Sequence, residues 1–349
     1  MATTEVEATT QAAQGLPSAA PVFRTFFGYL ATAALGAAVR LGVFDAIAAG
    51  RADTAAVAEA IGADERGTRV LLDALAALGF VERQEDRYRL SAVADAFLVS
   101  SRPTYLGPLA DIFYSDWQWA GFLRLADAVR AGGTAVEEQD LERPLHPFWE
   151  TYVSSWGAAG FPPAASLAAR LGPWIAERRR FASLDLACGD GLYSFMLVDA
   201  HSHVAATLLD QPHVLATTRR LADERGLSER TSFLEGDMFE LELGGPYDLI
   251  VASNVFHLFG EDKCRDLLHK LRAVLAPDGR LAIHEFAPDA SNPDPVAQLF
   301  SLVMLVRTHS GETHTLADYE RMLTETGFTS PDIHPLDGQP TALLLSSPA

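Results

Sequence analysis

The chain has 349 residues, of which 48% are hydrophobic and 21% charged, and its formal net charge at pH 7 is -19. This length allows two domains with a large core, and the composition is typical of a globular protein. The negative charge repels nucleic acid and anionic lipid, so neither is an expected partner. Cys188 and Cys264 are the only cysteines, which argues against a disulfide framework and favours a reducing, cytoplasmic location.

The N-terminal segment, residues 1–21, contains no Lys or Arg and no long apolar run. We predict a disordered arm there, neither a signal peptide nor an anchor. No apolar stretch in the chain reaches 18 residues free of charges and breakers, so no membrane span is predicted. The alanine-rich segment from Val22 to Ala49 is too apolar to remain in water. We expect a second copy of the chain to cover it, which predicts a homodimer.

Residues 22–101 have the element order of a winged helix. Amphipathic patterns predict helices at Thr54–Ile61 and Asp64–Leu78, and two β runs follow within residues 80–90 about a polar turn. In a DNA-binding winged helix the second of these helices would read the DNA. Here it carries Arg66 and Arg69 together with three acidic residues, so it has no positive face and DNA binding is not expected.

Two further regions complete the chain. Residues 102–170 are rich in aromatic side chains and predict a helical linker whose helices line a pocket for an acceptor molecule. From residue 171 to 349, strand and helix patterns alternate. This alternation predicts a Rossmann-like α/β domain, with a mostly parallel sheet and helices on both faces.

The stretch L-D-L-A-C-G-D-G-L-Y-S, Leu184 to Ser194, joins a predicted buried strand to a predicted helix. It places Gly189 and Gly191 in the first strand-to-helix turn of the sheet. A cofactor lies against the backbone at such a turn, where a side chain would hold it away. A dinucleotide-binding fingerprint would need Gly or Ala at the position of Ser194. The stretch therefore differs from the fingerprint of dinucleotide-binding proteins at one position.

Acidic residues at three successive strand ends decide which cofactor fits. Asp185 enters the glycine turn, where it favours a cationic group and would repel a pyrophosphate. Asp210 ends the next strand, at the spacing from the turn where an acid binds two ribose hydroxyls. Asp237 has the position to accept a hydrogen bond from an adenine amine, while Met238 packs on the ring. An ammonium, a ribose and an adenine together indicate S-adenosylmethionine.

Three residues predict an acid-base centre beside these strand ends. His257 follows a buried strand that starts near Pro246, and Glu285 ends the next strand. If the two strands are neighbours they lie about 5 Å apart, and both side chains reach one crevice. Glu312 follows a helix that begins near Val296. A histidine flanked by carboxylates is a general base held in orientation, with its imidazolium stabilised as it takes a proton.

The chemistry of such a centre is simple. Methyl transfer from a sulfonium is an in-line displacement, so the protein holds the acceptor oxygen about 3 Å from the methyl carbon and removes its proton. A phenol of pKa ~10 facing an imidazole of pKa ~6.5 is uphill by about 5 kcal/mol in water, and nearby carboxylates narrow the gap.

The order of these motifs resembles one known family. A winged helix and a helical linker, followed by D-L-A-C-G-D-G, L-L-D-Q-P-H-V, E-G-D-M-F, S-N-V-F-H-L-F and S-G-E-T-H-T, is similar to the S-adenosylmethionine-dependent O-methyltransferases of the plant caffeate type and their bacterial natural-product relatives. The resemblance extends from Val22 to near the end of the chain. It implies that His257 is the base, that Glu285 and Glu312 support it, and that the N-terminal domain forms a homodimer.

The resemblance also implies a substrate class and a cofactor site. The acceptor would be a small aromatic or polyketide-like molecule. The predicted cofactor residues are Asp185, Gly189, Gly191, Asp210, Gln211, Asp237, Met238 and Ser253.

The chain departs from the family pattern at two places. Ala187 replaces the first glycine of the family's D-x-G-x-G-x-G, and Leu258-Phe259 follows the base where Asp-Trp or His-Phe is usual. The second change alters the acceptor pocket. The family also contains C- and N-methylating members and a few members with pericyclic or elimination chemistry, so those reactions stay open as alternatives.

Four histidines near the crevice in sequence raise the alternative of a metal, as in relatives that methylate carbon. They are His257, His284, His309 and His314. An Asp directly after the base would have supported a metal, but Leu258 is not a ligand, so no metal is predicted.

Overall fold

The computed structural model describes residues 17–143, 145–288 and 295–349. The chain divides into two units between Tyr114 and Ser115. The predicted linker of residues 102–170 spans this division, and its boundaries remain a prediction. Most of the predicted arm, residues 1–16, lies outside the described residues, and a helix already begins at Ala20.

The first unit contains a run of short helices and one small hairpin. Its elements are α1 (Ala20–Phe27), α2 (Tyr29–Leu41), α3 (Val43–Ala48), α4 (Thr54–Ile61), α5 (Glu65–Ala77), β1 (Val81–Gln84), β2 (Arg87–Leu90), α6 (Ala92–Phe97) and α7 (Ala110–Phe113). Asp53 and Asp64 cap α4 and α5, because their carboxylates accept the backbone amides of Ala56 and Gly67. The predicted order of helix, helix and hairpin is therefore confirmed.

Helix α1 buries none of its residues within the unit. Val22, Phe23, Phe26 and Phe27 are each more than half exposed. The segment Ala20–Leu41 is also long and apolar enough to cross a membrane, by length and composition alone. The sequence analysis predicted no membrane span, because Arg24 and Arg40 interrupt the apolar run. A soluble helix that another chain covers has the same composition, so the segment alone does not indicate a membrane.

The second unit begins with helices and then alternates strands and helices. Its elements are α8 (Asp116–Leu123), α9 (Leu125–Ala131), α10 (Phe148–Ala176), β3 (Phe181–Leu186), α11 (Leu192–Ala200), β4 (Val204–Asp210), α12 (Pro212–Glu224), β5 (Thr231–Glu235), β6 (Tyr247–Ser253), α13 (Glu261–Val274), β7 (Leu275–Glu285), α14 (Pro295–Arg307), α15 (Leu316–Glu325), β8 (Asp332–Pro335) and β9 (Ala342–Ser346).

The seven strands of this unit form one sheet in the order β5-β4-β3-β6-β7-β9-β8. The five adjacent strands β5, β4, β3, β6 and β7 are parallel to one another. Strand β9 runs antiparallel to both β7 and β8. The mostly parallel Rossmann-like sheet is therefore confirmed. The strand order reverses at β3, and the crevice outside the carboxyl ends of the strands at such a point is where ligands bind.

Apolar clusters cover both faces of the sheet, which explains why the central strands are almost continuously hydrophobic. Leu184 and Leu186 of β3 and Leu249 and Ile250 of β6 are completely buried. Each such side chain contributes about 1.5 to 3 kcal/mol to folding. The loops at the carboxyl ends of the strands are therefore anchored to a closely packed sheet.

Candidate active site

The turn after β3 needs a left-handed backbone at three positions. Ala187, Gly189 and Gly191 have φ values of 51°, 56° and 78°. A Cβ at Gly191 would lie 2.8 Å from side-chain atoms of Leu208 and Phe195, so close packing requires this glycine. At Gly189 the nearest atom to such a Cβ is 3.8 Å away, which leaves the backbone there open to a ligand. The two glycines therefore serve different purposes.

Asp210, the last residue of β4, holds this turn in place. Its Oδ2 accepts the Gly189 amide at 2.9 Å, and its Oδ1 accepts the Gln211 amide at 2.7 Å. Burial raises the pKa of Asp210 to about 6, an effect that the two amides partly offset. A partly buried carboxylate with spare lone pairs favours further hydrogen-bond donors, such as the two hydroxyls of a ribose.

A cavity of about 210 Å³ lies at this edge of the sheet. Six of the eight predicted cofactor residues line it: Gly189, Asp210, Gln211, Asp237, Met238 and Ser253. The lining changes from carboxylates near the turn to the apolar side chains of Met238 and Phe239. This mixture fits a ligand with a polar ribose and a flat apolar ring, as S-adenosylmethionine has.

Asp185 and Gly191 are not among the residues that line this cavity. Asp185 is buried, and its Oδ2 accepts the Ser194 amide at 3.2 Å in the first turn of α11. Burial raises its pKa to about 7, against the opposing effect of its hydrogen bonds to Ser194. The structure therefore places Asp185 behind the turn, and its direct contact with a cofactor ammonium stays a prediction.

His257 lies in a short helical turn directly after β6. The chain reaches this turn through Asn254, whose φ of 52° is left-handed and which donates its amide to the His284 carbonyl at 2.8 Å. Asn adopts this conformation more readily than most residues. Strand β7 lies beside β6 with Ser253 opposite His284, so the condition on which the predicted crevice depended is met.

This register brings His257 and Glu285 together. The distance from His257 Nδ1 to Glu285 Oε2 is 2.6 Å. Two backbone amides also hold Glu285: the Phe256 amide donates to Oε1 at 2.8 Å, and the Phe286 amide donates to Oε2 at 3.2 Å. Glu285 is completely buried and His257 nearly so.

The electrostatics of the pair favour an ionised Glu285. Burial by itself raises the pKa of this carboxyl, but the His257 imidazole and the hydrogen bonds it receives outweigh burial and lower the pKa. An ionised Glu285 accepts the Nδ1 proton of His257, which leaves a lone pair on Nε2. Among the described residues, no side chain or backbone group hydrogen-bonds to that Nε2.

Two phenylalanines enclose the imidazole of His257. Phe300 of α14 packs edge-on at a centroid distance of 5.1 Å, and Phe286 lies 6.1 Å away. The two phenyl rings stack on each other at 4.0 Å. They keep the base in an apolar environment with limited access to water.

Glu312 is not brought to the imidazole in this structure. Its side chain is exposed and lines a different cavity, with Ser301 and Leu305. The neighbouring Gly311 does pack against the loop of the base, since a Cβ there would lie 2.5 Å from the His257 carbonyl oxygen. The role predicted for Glu312 therefore stays a prediction.

His284, His309 and His314 each have protein partners. His284 accepts the Tyr193 hydroxyl at 2.7 Å and donates to Thr341 Oγ1 at 2.9 Å, and burial lowers its pKa to about 4. His309 pairs with Asp140 at 3.2 Å, and His314 donates to the Phe259 carbonyl at 2.9 Å. Within residues 17–143, 145–288 and 295–349, no group of three or more metal-ligating side chains is arranged to hold a metal.

Sequence reasoning missed four residues that line the cavity: Leu141, Glu142, Arg143 and Lys263 of α13. Trp149 and Tyr152 of α10 also line it, within the aromatic-rich region where an acceptor pocket was predicted. The aromatic spacing of α10 predicted a lining role for that helix as a whole. The 141–143 segment gave no signal, because it is held by contacts with distant residues. Glu142 accepts both the His309 amide at 2.7 Å and Lys263 Nζ at 3.0 Å.

Two family models match the chain. A model of the O-methyltransferase dimerisation domain matches residues 23–100, and a model of the O-methyltransferase domain matches residues 179–329. A curated relative, the 3-hydroxy-5-methyl-1-naphthoate 3-O-methyltransferase of Streptomyces sahachiroi, is 31% identical over 304 residues and 86% of each chain. The acetylserotonin O-methyltransferase of Mus musculus molossinus is 32% identical over 333 residues, 86% of this chain and 81% of its own length.

Solved structures agree with these matches. A provisionally named O-methyltransferase from Nostoc punctiforme is 30% identical, with a TM-score of 0.88 over 95% of this chain and 99% of its own. The human N-acetylserotonin methyltransferase in complex with SAM is 25% identical, with a TM-score of 0.76 over 96% and 99% of the two chains. The chain is a methyltransferase that uses S-adenosylmethionine, and it belongs to the O-methyltransferase family.

Proposed function

We propose that the protein transfers a methyl group from S-adenosylmethionine to a hydroxyl of a small aromatic or polyketide-like molecule, with His257 as the general base. The observation that carries this proposal is the 2.6 Å contact between His257 Nδ1 and Glu285 Oε2. Because this contact fixes the Nδ1 proton, Nε2 has the lone pair that a base needs. The pair also lies at the carboxyl ends of β6 and β7, beside the strand ends that carry the predicted cofactor residues.

When bound, S-adenosylmethionine supplies an electrophilic methyl group. Asp210 would hold the ribose, while Asp237 and Met238 would hold the adenine. The protein itself has to remove one proton from the acceptor. His257 Nε2 takes it from the acceptor hydroxyl, and the buried Glu285 stabilises the imidazolium that forms. Phe286 and Phe300 restrict water near the imidazole, which strengthens this electrostatic contact.

The names of the relatives support an aromatic acceptor. They include the naphthoate 3-O-methyltransferase of Streptomyces sahachiroi, the tetracenomycin polyketide 8-O-methyltransferase of Streptomyces glaucescens, and the 3-amino-4-hydroxybenzoate 4-O-methyltransferase of Streptomyces cremeus. Each name denotes O-methylation at a numbered position, and two of the three name a hydroxylated aromatic acid. The aromatic side chains of Trp149 and Tyr152, which line the cavity, suit a planar molecule of this kind.

We also propose that the first unit forms a homodimer. The dimerisation-domain match covers residues 23–100, and within them Phe23, Phe26 and Phe27 are 59%, 73% and 59% exposed. A second copy of the chain would remove these rings from water. Light scattering at micromolar concentration should give twice the mass of the chain, and a monomer would contradict this proposal.

Incubation with S-adenosylmethionine carrying a deuterated methyl group tests the proposed reaction. The acceptors are hydroxynaphthoates, hydroxybenzoates and polyketide phenols. Mass spectrometry and NMR should place the label on an oxygen. His257→Ala should lower turnover by about 10²- to 10⁴-fold and leave cofactor binding intact, whereas His269→Ala, an exposed control on α13, should have no effect. Label on carbon, conversion without label, or a fully active His257→Ala variant would each overturn the proposal.

A further inference from the structure

Lys263 of α13 brings an ammonium group to the aromatic end of the cofactor cavity. Its Nζ lies 5.4 Å from the centre of the Phe259 ring and 5.9 Å from that of Phe239, and all three residues line the cavity. The two phenyl rings pack edge to face at 5.0 Å. Phe239 directly follows Asp237 and Met238. The ammonium therefore lies beside the position proposed for the adenine.

Glu142 is the hydrogen-bond partner of this ammonium. Its Oε2 accepts Lys263 Nζ at 3.0 Å, and its Oε1 accepts the His309 backbone amide at 2.7 Å. The Leu141 amide donates to the Arg307 carbonyl at 2.8 Å, which fixes the backbone beside Glu142. The side chain of Glu142 is 13% exposed and that of Lys263 is 52% exposed. The carboxylate is thus held in place without a ligand, and both side chains line the cavity.

This ion pair keeps unused hydrogen-bonding capacity. An ammonium has three N–H donors, and Lys263 uses one of them on Glu142. A carboxylate oxygen has two lone pairs, so Oε2 of Glu142 can accept a second donor. Among the described residues, neither Lys263 Nζ nor Glu142 Oε2 has another hydrogen-bond partner. Because an exposed ion pair contributes little to stability, folding alone does not explain this pair in the cavity wall.

Adenine presents groups that match this capacity. Its exocyclic amine has two N–H donors, and a ring nitrogen that accepts a hydrogen bond lies on each side of the amine. Asp237 can accept one of the two N–H groups, and Glu142 can accept the other. The ammonium beside Glu142 then faces the ring nitrogen on that side. A carboxylate cannot take this place, because it has no proton to donate.

We propose that Glu142 and Lys263 bind the amine edge of the cofactor's adenine, with Glu142 accepting an amine hydrogen and Lys263 donating to the adjacent ring nitrogen. This inference rests on the proposed function, in which Asp237 and Met238 hold the adenine. Glu142 and Lys263 are then specificity-determining residues. They select adenine over hypoxanthine, whose carbonyl oxygen would face the carboxylates of Glu142 and Asp237 in place of the amine.

The first test removes one ring nitrogen at a time. Calorimetry measures the binding of S-adenosylhomocysteine, the demethylated cofactor, and of its 1-deaza and 7-deaza analogues. One analogue should bind the wild type about five- to tenfold more weakly than the parent, because Lys263 loses its acceptor. This loss should disappear in Lys263→Met and persist in Arg179→Met, an exposed control before β3. Equal binding of all three ligands by the wild type, or identical losses in Lys263→Met, would overturn the proposal.

The second test changes the amine. S-inosylhomocysteine has a carbonyl oxygen at that position, and the wild type should prefer S-adenosylhomocysteine over it by at least about tenfold. Glu142→Gln should reduce this preference by at least about fivefold, because the new amide can donate to the carbonyl oxygen. Glu177→Gln, an exposed control near the start of β3, should keep it. An unchanged preference in Glu142→Gln would contradict the proposal.

These measurements separate this inference from the proposed function, because binding is measured without an acceptor. The expected losses, together with no methylation of any hydroxyl, would refute the proposed reaction alone. Weaker binding of S-adenosylhomocysteine by Asp237→Ala, together with identical deaza losses in the wild type and Lys263→Met, would refute this inference alone. Unchanged binding by Asp237→Ala would remove the adenine from this end of the cavity and overturn both.

Discussion

Replacing Glu285 by glutamine tests the logic of the catalytic pair with almost no change of shape. Oε1 of the new side chain can still accept the Phe256 amide, which now lies at 2.8 Å. The other terminal atom becomes an NH₂ group, which must face the Phe286 amide, now at 3.2 Å, and His257 Nδ1, now at 2.6 Å. An NH₂ group facing Nδ1 is accommodated only when Nδ1 carries no proton. The proton of the neutral imidazole then moves to Nε2, which can no longer act as a base.

The expected loss follows from this change of tautomer. General base catalysis contributes about 10²- to 10⁴-fold, so kcat should fall by that factor, equivalent to roughly 3 to 5 kcal/mol in the activation barrier. Affinity for the demethylated cofactor should not change, because Glu285 does not line the cofactor cavity. The free energy of unfolding of the variant should also fall less at acid pH than that of the wild type. The folded-state pKa of Glu285 is lowered, so the stability it contributes above its unfolded pKa is lost as the pH falls through the folded value.

Initial rates of methyl transfer and calorimetric cofactor binding provide the assay, with His257→Ala and the double variant measured beside Glu285→Gln. The double variant should be no slower than His257→Ala alone, because the two residues act as one unit. Turnover within about threefold of the wild type, or additive losses in the double variant, would refute the reasoning. Loss of cofactor binding in Glu285→Gln would show instead that the carboxylate holds the loop rather than the base.

Three further predictions concern the cofactor turn. Ala187→Gly should raise the free energy of unfolding by about 1 kcal/mol, because the left-handed φ of 51° disfavours alanine; urea unfolding measures this, and a less stable variant would contradict it. Asp210→Asn should weaken cofactor binding by about tenfold or more, since charge-assisted hydrogen bonds contribute about 1.5 to 3 kcal/mol each; unchanged calorimetric affinity would remove Asp210 from the site. Burial raises the pKa of Asp185 to about 7 in the folded protein, so stability falls as the pH rises from the ordinary aspartate pKa of about 4 towards 7, where only the unfolded chain has lost this proton. Asp185→Asn should abolish this loss, roughly 3 kcal/mol between pH 5 and pH 8, and thermal melts at pH 5 and pH 8 that shift equally in both proteins would argue against it.

The sequence alone determined much of the second unit and part of its site. Apolar runs of strand length, bounded by glycine or acid, located β3, β4, β6 and β7. In a parallel sheet the carboxyl ends of all strands meet at one edge, so residues that follow different strands come together whatever their separation in the chain. This geometry brought Gly189 and Asp210 into one contact, and it brought His257 to Glu285.

Tertiary packing decided the rest. Asp185 is at a strand end like Asp210, yet it points behind the turn and accepts the Ser194 amide. Glu312 follows α14 in a loop whose direction depends on how that helix packs, and its side chain is exposed. Neither placement could be read from periodicity, because a period identifies which residues share a face of an element but not which way a loop leads away from it.

The same limit applies to Arg307. As a basic residue in the last turn of an apolar helix, it has the sequence signature of an ordinary C-terminal charge that favours the helix dipole. Only the packing of Trp117 and Gln118 against it, from nearly 200 residues earlier in the chain, removes it from water. Local sequence determines the charge of a side chain, whereas its burial, and hence its need for a partner, depends on surfaces contributed by distant parts of the chain.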